Sequence, residues 1–309
     1  MKICATTENY KQTIELINSN LVSVIIVGCR DFSQVTNNLL SNKELMHLSK
    51  LSKTKNKEIF VLINKMFFEN EIAGLAKHLC FLNDIKINGI IFNDFAIKQI
   101  CDENKLNFNL IYDSKNVNTN WGQLLFFKEN NIQTISLSNE LYKNEIKEIS
   151  KNKNNANLMM QVEGYSLISF SRWKLLSNFA QQKNIKDDLL KKKLYIRENE
   201  RKLANIIYET ESGTYIFSGY NLSLIKHLDS IVSFNIDYIV INGFLNNEQW
   251  TNESLKIYNY ALDLIKQNNF TSSKKNELFG QIQSFNTEIC NDGFFALKPR
   301  HLHMEKKDE

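Results

Sequence analysis

The sequence predicts a (β/α)8 barrel of the TIM type, with parallel strands and a charged insertion after the seventh strand. Three observations carry that expectation. Across residues 1–150, short apolar runs alternate with amphipathic stretches. Parallel strands need crossover connections, usually helical, so this rhythm points to a parallel sheet. A chain of 309 residues is long for an ordinary domain and normal for one barrel. No GxGxxG follows the first strand, where Gly28 is the only glycine, and this disfavours a doubly wound open sheet.

The elements follow in order. Lys2–Thr6 reads as a strand and Asn9–Asn18 as a helix. Val22–Gly28 (VSVIIVG) is an almost continuous β-branched run, which suits a strand covered on both faces. Asn42–Thr54 is the next helix, Glu58–Asn64 the third strand and Glu69–Leu82 the helix after it. Gly89–Asp94, Phe108–Asp113, Thr134–Leu137 and Leu158–Val162 continue the strands. Ala96–Asn104, Asn120–Asn130 and Lys143–Lys151 are the helices between them. Residues 178–212 break the rhythm, being highly charged and free of glycine. They read as a partly helical insertion, either a lid or docking surface or a solvated connector. The pattern resumes with a strand at Gly213–Phe217, a helix at Leu222–Phe234, a strand at Tyr238–Asn242 and a closing helix at Ser254–Gln267. The expected division is a barrel domain over 1–269, including 178–212, and a C-terminal extension over 270–309. That extension packs on the barrel and frays at HLHMEKKDE.

Hydrophobic residues make up 43% of the chain and charged residues 23%, ordinary for a globular protein. The net charge of +4 falls well short of the dense basic footprint of a protein built around nucleic acid. No DNA partner is expected, and a solvated lysine-rich surface accounts for the charge. Cys4, Cys29, Cys80, Cys101 and Cys290 include no CxxC pair, so neither a disulfide framework nor a metal-ligand spacing is present. The N-terminus lacks a signal-peptide pattern, and no run approaches the ~20 apolar residues of a membrane span. The expectation is a cytoplasmic protein with no membrane partner.

Six landmarks occur in order: TNW (Thr119–Trp121), LSNEL (Leu137–Leu141), VEGYSLISFSRWKLLSNF (Val162–Phe179), FSGYNLSLI (Phe217–Ile225), IDYIVING (Ile236–Gly243) and GFF (Gly293–Phe295). On these the chain resembles peptidase family U32, the collagenase-like peptidases. The resemblance is nearest to short members that accompany a longer, cysteine-bearing relative. It implies a (β/α) barrel. It also implies a link to hydroxylation, of a tRNA wobble uridine or of ubiquinone precursors, with a longer homologue and tRNA as partners. Many members bind an iron–sulfur cluster through four cysteines. Here the family histidine position is Glu163, the first two cysteine positions are Leu167 and Lys174, and the S-G-R inside them reads Ser171-Arg172-Trp173. No cysteine lies between Cys101 and Cys290, so the four-thiolate ligand set is missing and no cofactor is expected. The K-I-E-G-R signature reads Val240–Phe244, without its Lys, Glu and Arg, and the D-L before it reads Asn221-Leu222.

Active groups of a parallel barrel sit at the carboxyl ends of its strands. Those ends carry Asn64, Asp94, Asp113, Glu140, Glu163 and Asn242, with Arg30 and Arg172 nearby. Asp94, Asp113 and Glu163 are the catalytic candidates, since two carboxylates in one cleft divide into acid and base; the bland alternative is strand-end capping. Arg172 and Trp173 are candidates to hold a phosphate or stack on a base, against packing of Trp173 on the rim. Asn120 is a substrate-binding candidate and equally a helix N-cap. Asn242 is a substrate-binding candidate at the altered signature. His47, His78 and His227 read as surface residues, and His301 with His303 as an incidental HxH. No GxSxG and no Cys beside a His marks a nucleophile. The leading expectation is a cluster-free accessory or degenerate member of a tRNA wobble-uridine 5-hydroxylation system. The alternatives are a peptidase acting through Asp94, Asp113 and Glu163, and a scaffold whose segment 178–212 docks a longer relative.

Overall fold

Strand and helix alternate through the first half of the chain, as the apolar pattern requires. The order is β1 (Lys2–Thr6), α1 (Tyr10–Asn18), β2 (Val24–Cys29), the two-residue β3 (Leu39–Leu40), α2 (Asn42–Thr54), β4 (Glu58–Ile63) and α3 (Glu69–Asp84). Then come β5 (Gly89–Phe92), α4 (Ala96–Glu103), β6 (Asn109–Tyr112), α5 (Trp121–Glu129), β7 (Thr134–Ser136) and α6 (Lys143–Lys151). The second half holds β8 (Asn157–Ser171), α7 (Leu175–Gln182), β9 (Leu194–Ile196), β10 (Asn205–Thr210) and β11 (Gly213–Ser223). A 3-10 turn at Ile225–His227, α8 (Leu228–Ser233), β12 (Tyr238–Ile241), α9 (Glu248–Lys266), α10 (Ser272–Phe285) and β13 (Cys290–Asn291) complete it. This computed structural model describes residues 1–185, 194–197, 199 and 203–297. The tail with His301 and His303, and the middle of the 178–212 segment, lie outside the described residues.

Strands β12, β1, β2, β4, β5, β6, β7 and β8 pair in parallel in that order, and β12 also pairs with β8, so the barrel closes. The predicted (β/α)8 barrel is therefore what the chain forms. All six residues of β2 are buried, because helices cover one face and the bore takes the other. The bore is filled by Cys4, Val24, Ile26, Phe60, Leu62, Ile91, Ile111, Met159 and Tyr238. The alternate residues of the same strands face outward under the helices. Helix starts are fixed locally: Asn9, Ser41, Asn120, Asn247 and Thr271 each accept a first-turn amide through the side chain. Each such cap contributes about 1 kcal/mol.

One strand departs from the barrel. β8 is 15 residues long, while the other barrel strands have three to six. Its first half is barrel wall. Beyond Glu163 it rises past the rim and pairs antiparallel with β11, which pairs with β10 and then β9. This upper sheet encloses a second small core of Tyr165, Ile206, Tyr215, Phe217 and Phe244 over the barrel mouth. Three sequence expectations change here. The strand predicted at Gly213–Phe217 extends to Ser223 and belongs to the upper sheet, not the barrel. The helix predicted from Leu222 begins at Leu228, because Leu222 and Ser223 are spent on the ladder with Gly164 and Glu163. The described part of 178–212 is the end of α7 followed by β9 and β10; a two-residue loop, Glu211 and Ser212, turns β10 into β11. α10 packs against α9 and the 3-10 turn, and β13 adds to β11.

The junction between barrel and upper sheet is Gly164, at φ +109°, where an added Cβ would lie 2.1 Å from Asn242 O. Only glycine fits, on both conformational and steric grounds. Gly280, in the middle of α10, has nothing within 4 Å of where its Cβ would stand. Gly164→Ala is expected to lower unfolding free energy by at least ~2 kcal/mol, and Gly280→Ala to raise it by up to ~1 kcal/mol. Urea unfolding of both variants measures this, and equal effects would contradict the assigned junction.

Candidate functional site

The strand ends and the upper sheet enclose a cavity of about 250 Å³ at the carboxyl end of the barrel. Its floor is the top of the bore, with Ile26, Leu62, Ile91, Met159 and Val240. Its roof is the underside of the upper sheet, where Phe170 stacks on Tyr215 (centroids 4.8 Å apart, planes at 29°) beside Phe217 and Leu167. Its wall is a belt of side-chain amides: Gln34, Asn64, Asn93, Asn116, Asn139, Gln161 and Asn242. The belt is tied to itself and to the roof. Asn64 exchanges two hydrogen bonds with the Gln34 backbone (2.8 and 3.0 Å). Asn93 Nδ2 donates to Asn64 O (3.1 Å), Asn242 Nδ2 to Gln161 Oε1 (3.3 Å) and Asn116 Nδ2 to Ile168 O (3.1 Å). Tyr215 Oη donates to Gln34 Oε1. Val35, beside Gln34, holds φ +57°, a strained value for a β-branched residue. Among the described residues, Asp113 and Lys115 are the only charged side chains of the lining, and they form an ion pair with each other.

The predicted site residues separate. Asp113 and Asn242 line the cavity, and so does Asn64. Asp94 does not: its two carboxylate oxygens accept from Phe67 N and Ala96 N (3.0 Å each), tying the β4–α3 loop to the start of α4. Glu163 does not line it either. The three carboxylates proposed as a catalytic set are therefore not brought together. Arg172 is exposed, with its guanidinium 3.6 Å from the Phe68 ring centroid, and its side chain belongs to the outer rim. Trp173 is 73% exposed, so it does not pack on the rim. Asn120 caps α5, accepting from Gln123 N (3.1 Å). Glu140 and Arg30 are exposed. His78 is buried, not a surface residue; it stacks on Phe32 at 4.2 Å, and burial pushes its pKa down to about 4.

Glu163 leaves the bore because of a bulge. Met159 and Gln161 face inward, and strict alternation would send Glu163 inward as well. The β8–β12 register slips between Val240↔Gln161 and Ile241↔Glu163, which turns Glu163 to the outer face with Ile241. There it is fully buried beside α9. Tyr258 Oη lies 2.9 Å from both Val162 O and Glu163 Oε2. One phenolic proton does not serve two acceptors well; the carbonyl takes it, and a proton on Glu163 donates to the Tyr258 oxygen. The electrostatics agree. Burial pushes the Glu163 carboxyl from an ordinary 4.5 up to about 8, with the Ser223 and Tyr258 hydroxyls pulling the other way. Ser223 sits opposite in the ladder, yet neither its Oγ nor Glu163 Oε1 makes a hydrogen bond of ordinary geometry. Glu163 is thus a neutral acid at pH 7, behind the barrel wall.

The amide belt was not legible as a set. Gln161 had a usable signal, its parity with the inward Met159; Gln34 and Asn139 sit on loops, where alternation says nothing. Glu209 was also missed. It is buried, and its carboxylate accepts from Leu176 N (2.7 Å), Ser177 N (3.2 Å) and Thr214 Oγ1 (2.9 Å), holding the N-terminus of α7. The residues do not fit an iron–sulfur cluster. Leu167 is part of the roof, Lys174 pairs with Glu211, and no group of His, Cys, Asp and Glu among the described residues is placed to hold a metal ion.

Residues 8–305 match the family model described as Peptidase family U32. The tRNA hydroxylation protein P2 of Bacillus subtilis is 24% identical over 263 residues, 82% of this chain and 84% of that protein. The tRNA hydroxylation protein P1 of the same organism is 24% identical over 212 residues, 67% of this chain and 50% of its own length. An uncharacterized protease of Methanocaldococcus jannaschii is 25% identical over 73% of this chain and 56% of that protein. Among solved structures, the U32 peptidase Mk0906 aligns with a TM-score of 0.49 at 11% identity, over 78% of this chain and 92% of that one. A monomeric dihydrodipicolinate synthase variant gives 0.50 at 7% identity over 93% and 83%, a likeness of fold.

The neutral Glu163 has a measurable consequence. Its folded pKa lies above its unfolded value, so its contribution is fully present below about pH 4.5 and is lost as pH rises to about 8. Relative to Glu163→Gln, whose amide donates to Tyr258 at every pH, the wild type is expected to lose roughly 1.4 kcal/mol of unfolding free energy per pH unit across that window, then level off. Urea titrations of both proteins from pH 5 to 9 test this; parallel curves would mean an ionised Glu163.

Proposed function

The chain belongs to peptidase family U32, and on that premise we propose that it is a cluster-free accessory subunit in tRNA wobble-uridine 5-hydroxylation. It works beside a longer, cysteine-bearing relative that supplies the oxidation chemistry. The observation that carries this reading is the mouth cavity. A hydrolase or hydroxylase of its own would need an acid, a base or a bound metal facing the substrate. This cavity offers amides and one self-neutralised pair, Asp113–Lys115. The match to the B. subtilis tRNA hydroxylation protein P2 over most of both chains, and to P1 over half of P1, supports the pairing of a short member with a longer one. A cytoplasmic location suits five cysteines that are all free. No helix among the described residues is long and apolar enough to cross a membrane. The peptidase reading loses its proposed residues, since Asp94, Asp113 and Glu163 do not share a site.

Deleting the gene is expected to deplete 5-hydroxyuridine derivatives in bulk tRNA, read by nucleoside mass spectrometry. Wild-type chain and Asp113→Asn are both expected to restore them. Affinity purification from the native host is expected to bring down the longer relative. Unchanged 5-hydroxyuridine in the deletion strain would end this reading; restoration by wild type but not by Asp113→Asn would make the chain itself catalytic.

A further inference from the structure

We propose that the exposed apolar rim of the barrel mouth is the face on which the longer relative docks. The inference rests on the accessory role proposed above and names the surface that role uses.

The rim is continuous. The β4–α3 loop presents Met66 and Phe68, the start of α4 presents Phe95, and the approach to α5 presents Val117 and Trp121. The far end of β8 adds Ile168 and, just beyond it, Trp173. Printed contacts join these segments in a circuit. The Arg172 guanidinium, 3.6 Å from the Phe68 ring centroid, links the upper sheet to the β4–α3 loop. Phe67 N donates to Asp94 Oδ2 (3.0 Å), linking that loop to the segment that carries Phe95. Phe95 stacks on Tyr112 of β6 (centroids 4.9 Å apart). Asn116 Nδ2 donates to Ile168 O (3.1 Å), which returns the circuit to the upper sheet. Met66 and Ile168 also line the cavity, so the rim runs into the mouth.

Single exposed apolar residues are ordinary. Here seven share one rim, each between 40% and 73% exposed. At those fractions they leave roughly 700 Å² open, above the ~300–600 Å² of the largest patch on a typical monomer and close to the ~800 Å² that each partner contributes to a standard interface. Tryptophan and arginine are the side chains that most often anchor such interfaces, and this rim carries Trp121, Trp173 and Arg172.

Charge selects the class of partner. Lys65, Lys115 and Lys174 stand beside the rim, and they are paired with Glu71, Asp113 and Glu211. A nucleic acid or an anionic membrane draws on unpaired cations, and these three are already taken. An apolar protein face needs none. Between protein partners, a second copy would bring another amide-lined mouth. The longer relative brings the reactive groups that this lining lacks and, seated on the rim, sets them over the opening.

Biolayer interferometry between the purified full-length chain and the purified longer family member of the same host tests this. Wild type is expected to bind, and Trp173→Glu and Trp121→Glu each to bind at least about tenfold more weakly. Tyr260→Glu is expected to bind as wild type does, since Tyr260 is equally exposed (47%) but lies in the half of α9 that runs away from the mouth. Both tryptophans are exposed, and either variant carries the test if the other does not fold. The proposal is overturned if wild type does not bind the relative, if both rim variants bind as wild type does, or if Tyr260→Glu weakens binding as much as they do. It is also overturned if light scattering shows the chain alone as a dimer that Trp173→Glu splits, or if Trp173→Glu weakens binding of bulk tRNA and not of the relative. Binding that survives both rim variants, beside loss of 5-hydroxyuridine in the deletion strain, would remove this surface and leave the accessory role standing. Rim-dependent binding beside unchanged 5-hydroxyuridine would do the reverse.

Discussion

Gly164 passes so close to the carbonyl of Asn242 that no side chain fits between them, and Asn242 N donates back to Glu163 O at 2.9 Å. This crossing is where the last barrel strand meets the strand that leaves the barrel. It has three consequences. β8 rises out of the barrel instead of turning into a helix, so the mouth acquires a roof. The accompanying bulge turns Glu163 out of the bore, so the mouth loses a carboxylate. Asn242 is held at the rim by Thr6 and Gln161, so the amide belt closes on its β12 side. Roof, neutral mouth and belt all depend on one glycine and one register slip.

The two buried glutamates show how differently the fold handles the same side chain. Glu209 is surrounded by donors: the first amides of α7 and the hydroxyls of Ser177 and Thr214. Those hydrogen bonds fasten α7 to the upper sheet. Glu163 faces the Tyr258 phenol, already engaged with a backbone carbonyl, and the Ser223 hydroxyl, between the barrel wall and α9. An ion there would be unpaired and dry, and the group keeps its proton instead. Neither glutamate reaches the cavity. A carboxylate at the end of a barrel strand is therefore weak evidence for catalysis until its neighbours are known.

The barrel itself was legible because its signal is local. Continuous β-branched runs and amphipathic helices set by side-chain caps point to one architecture, and each of the eight parallel strands begins or ends within a few residues of its apolar run. The upper sheet was less legible. Gly213–Phe217 reads as a strand in isolation, but only the ladder with Ser171 to Leu167 decides that it runs antiparallel and outside the barrel. Glu163 was expected at the mouth from its place at a strand end; the bulge that turns it away is a property of two strands at once. Asn64, Asp113 and Asn242 were found by their positions at strand ends. Gln34 and Asn139 were not, since loops bring them in from far along the chain.

A barrel mouth whose described lining carries no unpaired charge is limited in the chemistry it can do. In a parallel barrel the strand ends are the natural place for charged groups, because loops there are wet and helix N-termini favour anions. Here seven lining residues are amides, and the one acid lies against the one base. Amides position a ligand through donors and acceptors but do not change protonation near neutral pH, so they hold a substrate without transferring its protons. Among the described residues, the lining therefore offers no free acid or base for a reaction at this mouth. The roof is pinned by Tyr215 on Gln34, Asn116 on the Ile168 carbonyl and Arg172 on Phe68. The register slip that accompanies the roof also keeps the Glu163 carboxylate out from under it.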